Sequence, residues 1–306
     1  MQTFSTQFET FQKLEEFITQ NNISSYNNIL IQIFSGIIKS DQLLSISSDI
    51  FKLLPQANII GTTTSGEIKD GTMLDNTILI CFSVFEHTSI KSTLIDIVDE
   101  IDINDIKELI CDDTKALIVF SDGLQTNVEN LLKEIHNIKP DIIIAGGRAG
   151  DNLKFQESFV FNETKSTQSG MVIASLSSKN LITNSDYILN WTPIGKEMVV
   201  TKADGNILYE LDNTPILQIY EKYLGKEISI NFPNYCLDFP LIINRTGIEV
   251  ARDPLKKSDD GGLVFAGNFN IGEMARFSFA NIEELIDNTS YYFNMYKKLP
   301  AESIFI

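Results

Sequence analysis

The chain has 306 residues, of which 43% are hydrophobic and 21% charged, and its 41 acidic against 24 basic residues leave a formal charge of −17. At roughly 150 residues per domain this ordinary globular composition points to about two domains. A chain this acidic lacks the basic face that displaces counterions from phosphates, which excludes non-specific nucleic-acid binding and adhesion to an anionic membrane surface.

Cys81, Cys111 and Cys236 are far apart and form no CxxC pair. With His87 and His136 they are too few for a Cys/His zinc site unless carboxylates complete it, and a disulfide scaffold is equally disfavoured. A reducing cytoplasm is the compartment that fits. The amino end, MQTFSTQFETFQKLEEF, has no basic n-region and no apolar h-region. No stretch reaches the ~18 consecutive apolar residues of a span, so no membrane insertion is expected.

Phe8, Phe11, Leu14, Phe17 and Ile18 fall on one helical face and predict an amphipathic first helix. NILIQIFSG (28–36) reads as a buried strand, DQLLSISSDIFKLLP as a helix stopped by Pro55, and NIIGTTTSGEI as a strand opening into a loop. NTILICFSVF and TSIKSTLIDI follow as two more strands. From Lys115 the block recurs: KALIVFSDG is a strand, NVENLLKEIHNIKP a helix, DIIIAGGRAGD a strand with a glycine loop, and FQESFVFNET and SGMVIASLSS the paired strands. Phe34 maps onto Phe120 and Gly61 onto Gly146, offsets of 86 and 85 residues. Matching order and near-constant offset predict an internal strand-helix-strand duplication in a mixed α/β, two-lobed chain.

Beyond about Ser185 longer strands dominate. DYILNWTPIGKEMVVTKADGNILYEL predicts strands around an ADGN turn, TPILQIYEKYLG a helix with Pro215 in its first turn and Gly225 at its end, and EMARFSFAN a strand. Ile282 to Leu299 predicts a last helix, and AESIFI the start of a strand that stops, which suggests that the natural chain continues. The expected boundary divides residues 1–185 from 186–306.

The candidate site is the pair of loops at the carboxyl ends of two strands, where ligands of α/β sheets tend to sit. Gly66, Gly146 and Gly147 expose backbone amides, while Thr62, Thr63, Thr64 and Ser65 add hydroxyls. Glu67 and Asp151 supply anions, and Arg148 is the one cation of the two loops, with a planar fork suited to a carboxylate. Such a set complements a small zwitterion. The same residues also suit two tight turns that cap themselves, with Arg148 paired to Asp151. Neither loop has the lysine of a phosphate loop or the spacing of a dinucleotide fingerprint, so no cofactor is expected. Ser65 imitates part of a nucleophile elbow, but no histidine lies near it in sequence. Arg252, beside Asp253 and Pro254, is a further candidate in the second half, against a structural Arg–Asp pair beside a hairpin.

At these residues the sequence resembles the FIST sensory family, in both its amino- and carboxy-terminal parts. The resemblance runs through Phe34 and Gly36, the loop from Gly61 to Ile68 with Thr63 and Thr64, and the second glycine loop from Gly146 to Asp151. It continues in NILYELDNTPILQIYEKYLG and ARDPLKKSDDGGLVFAGNFNIGEMARFS. The chain departs from the family at Thr62, where a small residue or cysteine usually stands, and stops before a family segment that carries Ser-Cys and Arg. The resemblance implies a non-enzymatic ligand sensor of bacterial signal transduction. Amino acids are the implied ligands, and the implied partner is a downstream kinase, diguanylate cyclase or chemotaxis module. Ligand binding between the lobes would be relayed through the last helix. A hydrolase using Ser65 or a neighbouring threonine and a ligand-free interaction module are the alternatives.

Overall fold

The computed structural model describes residues 1–97, 103–187, 189–230, 232–298 and 301–305. The chain divides into two units, Met1–Ser185 with Ala301–Ile306, and Asp186–Pro300.

The first unit is built twice over. Its first half runs β1 (Gln2–Gln7), α1 (Phe11–Gln20), β2 (Asn28–Ser35), α2 (Ser40–Leu53), β3 (Ala57–Thr63), β4 (Glu67–Lys69), β5 (Thr72–Leu74) and β6 (Ile78–Phe85). Its second half repeats that order as β7 (Ser89–Asp96), α3 (Ile103–Lys107), β8 (Thr114–Ser121), α4 (Val128–Ile138), β9 (Ile143–Arg148), β10 (Val160–Phe161), β11 (Ser166–Thr167) and β12 (Gly170–Ser177). The pairing repeats too: β1-β6-β2-β3 in one sheet corresponds to β7-β12-β8-β9 in the other, and in each the two strands joined by a helix are parallel.

The phase of the repeat differs from the sequence reading. TSIKSTLIDI opens the second half as β7 instead of closing the first, and its counterpart is β1, which the sequence reading passed over. Gln2–Gln7 is mostly polar and contains no buried residue, so it carries little apolar signal; its place is set by full register against β6. FQESFVFNET contributes only the two-residue β10.

Side-chain alternation sorts the halves into four layers. On β2, Ile29, Ile31 and Ile33 pack under α1 and α2, while Leu30 and Phe34 face the other sheet. On β8, Leu117 and Val119 pack under α3 and α4, while Ala116, Ile118 and Phe120 face back. The two sheets thus stack face to face with helices on both outer sides. Both faces of the central strands are covered, which is why they read as near-continuous apolar runs. One asymmetry interlocks the halves: hairpin β4-β5 stands alone, whereas hairpin β10-β11 pairs with β3 of the first half, Val160 opposite Thr62.

The second unit comprises β13 (Trp191–Asp204), β14 (Ile207–Leu211), β15 (Thr214–Pro215), α5 (Ile216–Leu224), β16 (Leu241–Arg245), β17 (Ile248–Arg252), β18 (Pro254–Lys257), β19 (Leu263–Phe265), β20 (Met274–Ala280) and α6 (Ile282–Tyr296). Its eight strands form one nearly closed sheet, with path β17-β16-β20-β13-β14-β19-β18 and β15 alongside β14. The α5 residues Ile216, Ile219 and Tyr220 fill the core against Leu241, Phe265 and Phe277. The predicted last helix is present as α6, although Leu299 lies outside the described residues. The strand expected from Ala301 is irregular chain over 301–305, and Ile306 lies outside the described residues.

Candidate functional site

The two predicted loops belong to the first unit and meet. Each begins with the same closure, the Thr64 amide donating to the Ser35 carbonyl (2.8 Å) in one half and the Ala149 amide to the Ser121 carbonyl (2.7 Å) in the other. The Gly150 amide then crosses to the Thr63 carbonyl at 2.9 Å. The approach is so close that a Cβ on Gly150 would lie 2.6 Å from Ser65 Oγ. A glycine is required there by contact with its neighbour.

Within the first loop the hydroxyls divide into structural and accessible groups. Thr62 and Thr63 are buried: Thr62 donates to the Thr63 carbonyl, and Thr63 Oγ1 accepts from the Phe159 amide at 3.0 Å, tying β3 to the chain ahead of β10. Thr64 and Gly66 are half-buried, and Ser65 is exposed. Glu67 is 4% exposed and accepts hydroxyl bonds from Thr64 and Thr77. A Cβ on Gly36 would lie 3.3 Å from its Oε1. The equivalent of Gly36 in the second half is Asp122, so each half places one buried carboxylate at the tip of its first parallel strand, from different positions in the repeat.

In the second loop Gly146 and Gly147 are exposed. Arg148 is half-buried; its Nη2 donates to the Gly123 carbonyl at 2.8 Å, while its Nε is buried without an acceptor among the described residues. Burial pushes the guanidinium below its ordinary pKa, and the neighbouring Asp122 carboxylate works against that shift. The Thr126 hydroxyl, in the loop that Arg148 touches, is also buried without a partner among the described residues.

Neither aspartate is a free anion. Asp151 accepts the amides of Lys154, Phe155, Gln156 and Glu157 at 2.7–3.2 Å, so it shapes the 151–157 turn and does not pair with Arg148. Asp122 accepts the amides of Leu124, Gln125, Thr126 and Gly170. The sequence reading missed Asp122, although its place after Phe120–Ser121 carries a signal, since a buried aspartate before glycine shapes turns by this means. Arg252 belongs to the second unit and donates to the carbonyls of Asn268 and Ala251. His87 and His136 are exposed, and no hydrogen bond joins either to Ser65 among the described residues.

What this arrangement offers is an arginine with an unused donor, exposed glycine backbone and, in the facing loop, a carboxylate held by two threonines. Residues 29–214 match the FIST N domain and residues 217–305 match the FIST C domain. The chain belongs to the FIST family. FIST domains are associated with the sensing of small ligands in signal transduction. The FIST chain is also similar to an uncharacterized protein of Methanocaldococcus jannaschii, 26% identical over 211 residues, covering 64% of this chain and 41% of that protein. It therefore spans about two fifths of the length of that relative. No helix among the described residues is long and apolar enough to cross a membrane.

Proposed function

We propose that the protein is a cytoplasmic sensor whose first unit binds an amino acid or a similar small zwitterion and passes the signal to an output module such as a kinase, diguanylate cyclase or chemotaxis domain. The observation that carries this reading is the buried Arg148 Nε, which has no acceptor among the described residues. A buried donor without a partner costs about 1–3 kcal/mol, and a ligand carboxylate supplies the missing acceptor. Glu67 is the anion for the ammonium group, because its carboxylate is satisfied only by two hydroxyls, which can turn aside. Thr62, Thr63 and Asp151 hold the loops in place, and Thr64, Ser65, Gly66, Gly146 and Gly147 line the approach.

Calorimetric titration of the full chain with the twenty amino acids tests this. The expected result is binding of at least one, weakened about tenfold or more by Arg148→Ala and by Glu67→Gln. Heats that are absent across the panel, or that survive both substitutions unchanged, would remove the assignment.

A further inference from the structure

The second unit contains a cleft that the loops of the first do not explain. Strand β13 pairs with β20 from Trp191 to Ile194 and again at Met198 and Val199, but the ladder breaks between them. Ile194 lies opposite Phe277 and Met198 opposite Ala275, so β13 spends four residues where β20 spends two. Gly195 makes this possible with φ +72°, and a Cβ there would meet nothing within 4 Å, so its glycine serves the backbone turn and not a tight contact.

The bulge leaves a cleft of about 270 Å³ between β13 and the end of α5. Its floor is Met198 and Phe277, 3% and 6% exposed, and its walls are Tyr223, Leu224 and Phe239. The Tyr223 ring stands 5.5 Å from that of Phe277. A dry apolar cavity of ~150 Å³ already accepts benzene, so this one has room for a ring or branched chain with a short polar extension.

The polar chemistry of the lining is one-sided. Its one charged residue is Lys196, on the bulge, and its one hydroxyl is that of Tyr223; no lining residue is acidic. Lys196 reaches to Asp212 Oδ2 at 2.6 Å, and the other oxygen of Asp212 accepts the Val199 amide at 2.9 Å. An ammonium has three donors, so this contact leaves Lys196 able to take a second carboxylate. A sugar or a nucleotide would bury polar groups against aromatic rings, and an amine would find no anion on the lining.

We propose that this cleft binds a small apolar monocarboxylate, an aromatic or branched aliphatic acid whose tail lies on Phe277 and Met198 and whose carboxylate meets Lys196. It is a second site, chemically distinct from that of Arg148. Phenylacetate is a suitable probe, titrated into the full chain and followed by calorimetry and by the methyl resonance of Met198 in methionine-labelled protein. The Met198 methyl shifts in the ring current of the bound acid, and phenethylamine, with the same ring and the opposite charge, produces no such shift. Lys196→Gln, at an exposed position, weakens phenylacetate about fivefold, the scale of a partly exposed charge pair. Leu224→Trp fills the cleft and abolishes the shift, while Arg148→Ala leaves it unchanged. Absence of a Met198 shift up to about 10 mM phenylacetate, equal binding of phenethylamine, or wild-type affinity in Lys196→Gln would overturn the proposal.

Discussion

Phe34 and Phe120 meet edge to face, with ring centroids 5.4 Å apart and planes at 68°, although 86 residues separate them. They are equivalent positions of the two halves, the last apolar residues of β2 and β8 to point between the sheets. Truncation of Phe120, 6% exposed, to alanine is expected to cost about 3 kcal/mol. Urea unfolding of Phe34→Ala, Phe120→Ala and the double variant should give a coupling of about 1 kcal/mol, the scale of an aromatic pair. Strict additivity would show that the two rings are neighbours without being partners.

Gly146 and Gly147 are adjacent and look alike in sequence, but they are not equivalent. A Cβ on Gly146 would lie 1.8 Å from the Val119 carbonyl oxygen, at φ +144°, whereas one on Gly147 would meet nothing within 4 Å. Gly146→Ala is expected to lose at least about 3 kcal/mol, and Gly147→Ala less than about 1 kcal/mol. Thermal denaturation of the two variants side by side reads the difference.

Asp151→Asn replaces one of two accepting oxygens by a donor, leaving two of four backbone amides unpaired. The expected loss is about 2 kcal/mol, with faster hydrogen exchange confined to the amides of residues 154–157. Exchange unchanged in that turn would mean that the carboxylate follows the turn and does not set it.

Two carboxylates of the second unit respond to acid in opposite directions. Burial works to raise Glu273, but the Asn270 amide and the Arg245 guanidinium, 3.0 Å away, outweigh it and hold the group below its ordinary value. Its contribution is present above the ordinary glutamate range and is lost as pH falls through the folded-state value. Asp253 is raised by burial, against the opposing charge of Arg252. Its ionisation opposes folding at neutral pH, and that opposition disappears as pH falls through its raised value. Asp253→Asn should therefore stabilise the unit at pH 7 and have little effect near pH 3, while Glu273→Gln should destabilise at pH 7 and flatten the acid limb. Equilibrium unfolding followed between pH 3 and pH 7 distinguishes the two signs.

Of those contacts only Arg245 with Glu273 joins residues distant in sequence, and such pairings mark the limit of what the chain alone discloses. The parallel strands of the first unit were legible because both faces are buried, so Ile29 to Ile33 and Ala116 to Phe120 read as apolar runs. The convergence of the two loops was legible from their shared place in the repeat. β1 was not, because register against β6 holds a polar segment that has no apolar periodicity. Asp151 looked like a free anion because four amide partners within its own turn leave no mark on composition. The cleft beside α5 joins residues from Ile194 to Phe277, brought together by a break in strand register that no local pattern announces.

The pairing of β10 with β3 has a consequence for the order of events during synthesis. The edge of the first sheet is completed by Val160 and Phe161, so the amino-terminal half leaves the ribosome with an open strand edge that about 75 further residues must be made to cover. The two structurally matching halves are mutually dependent, and neither is expected to persist as a separately expressed fragment.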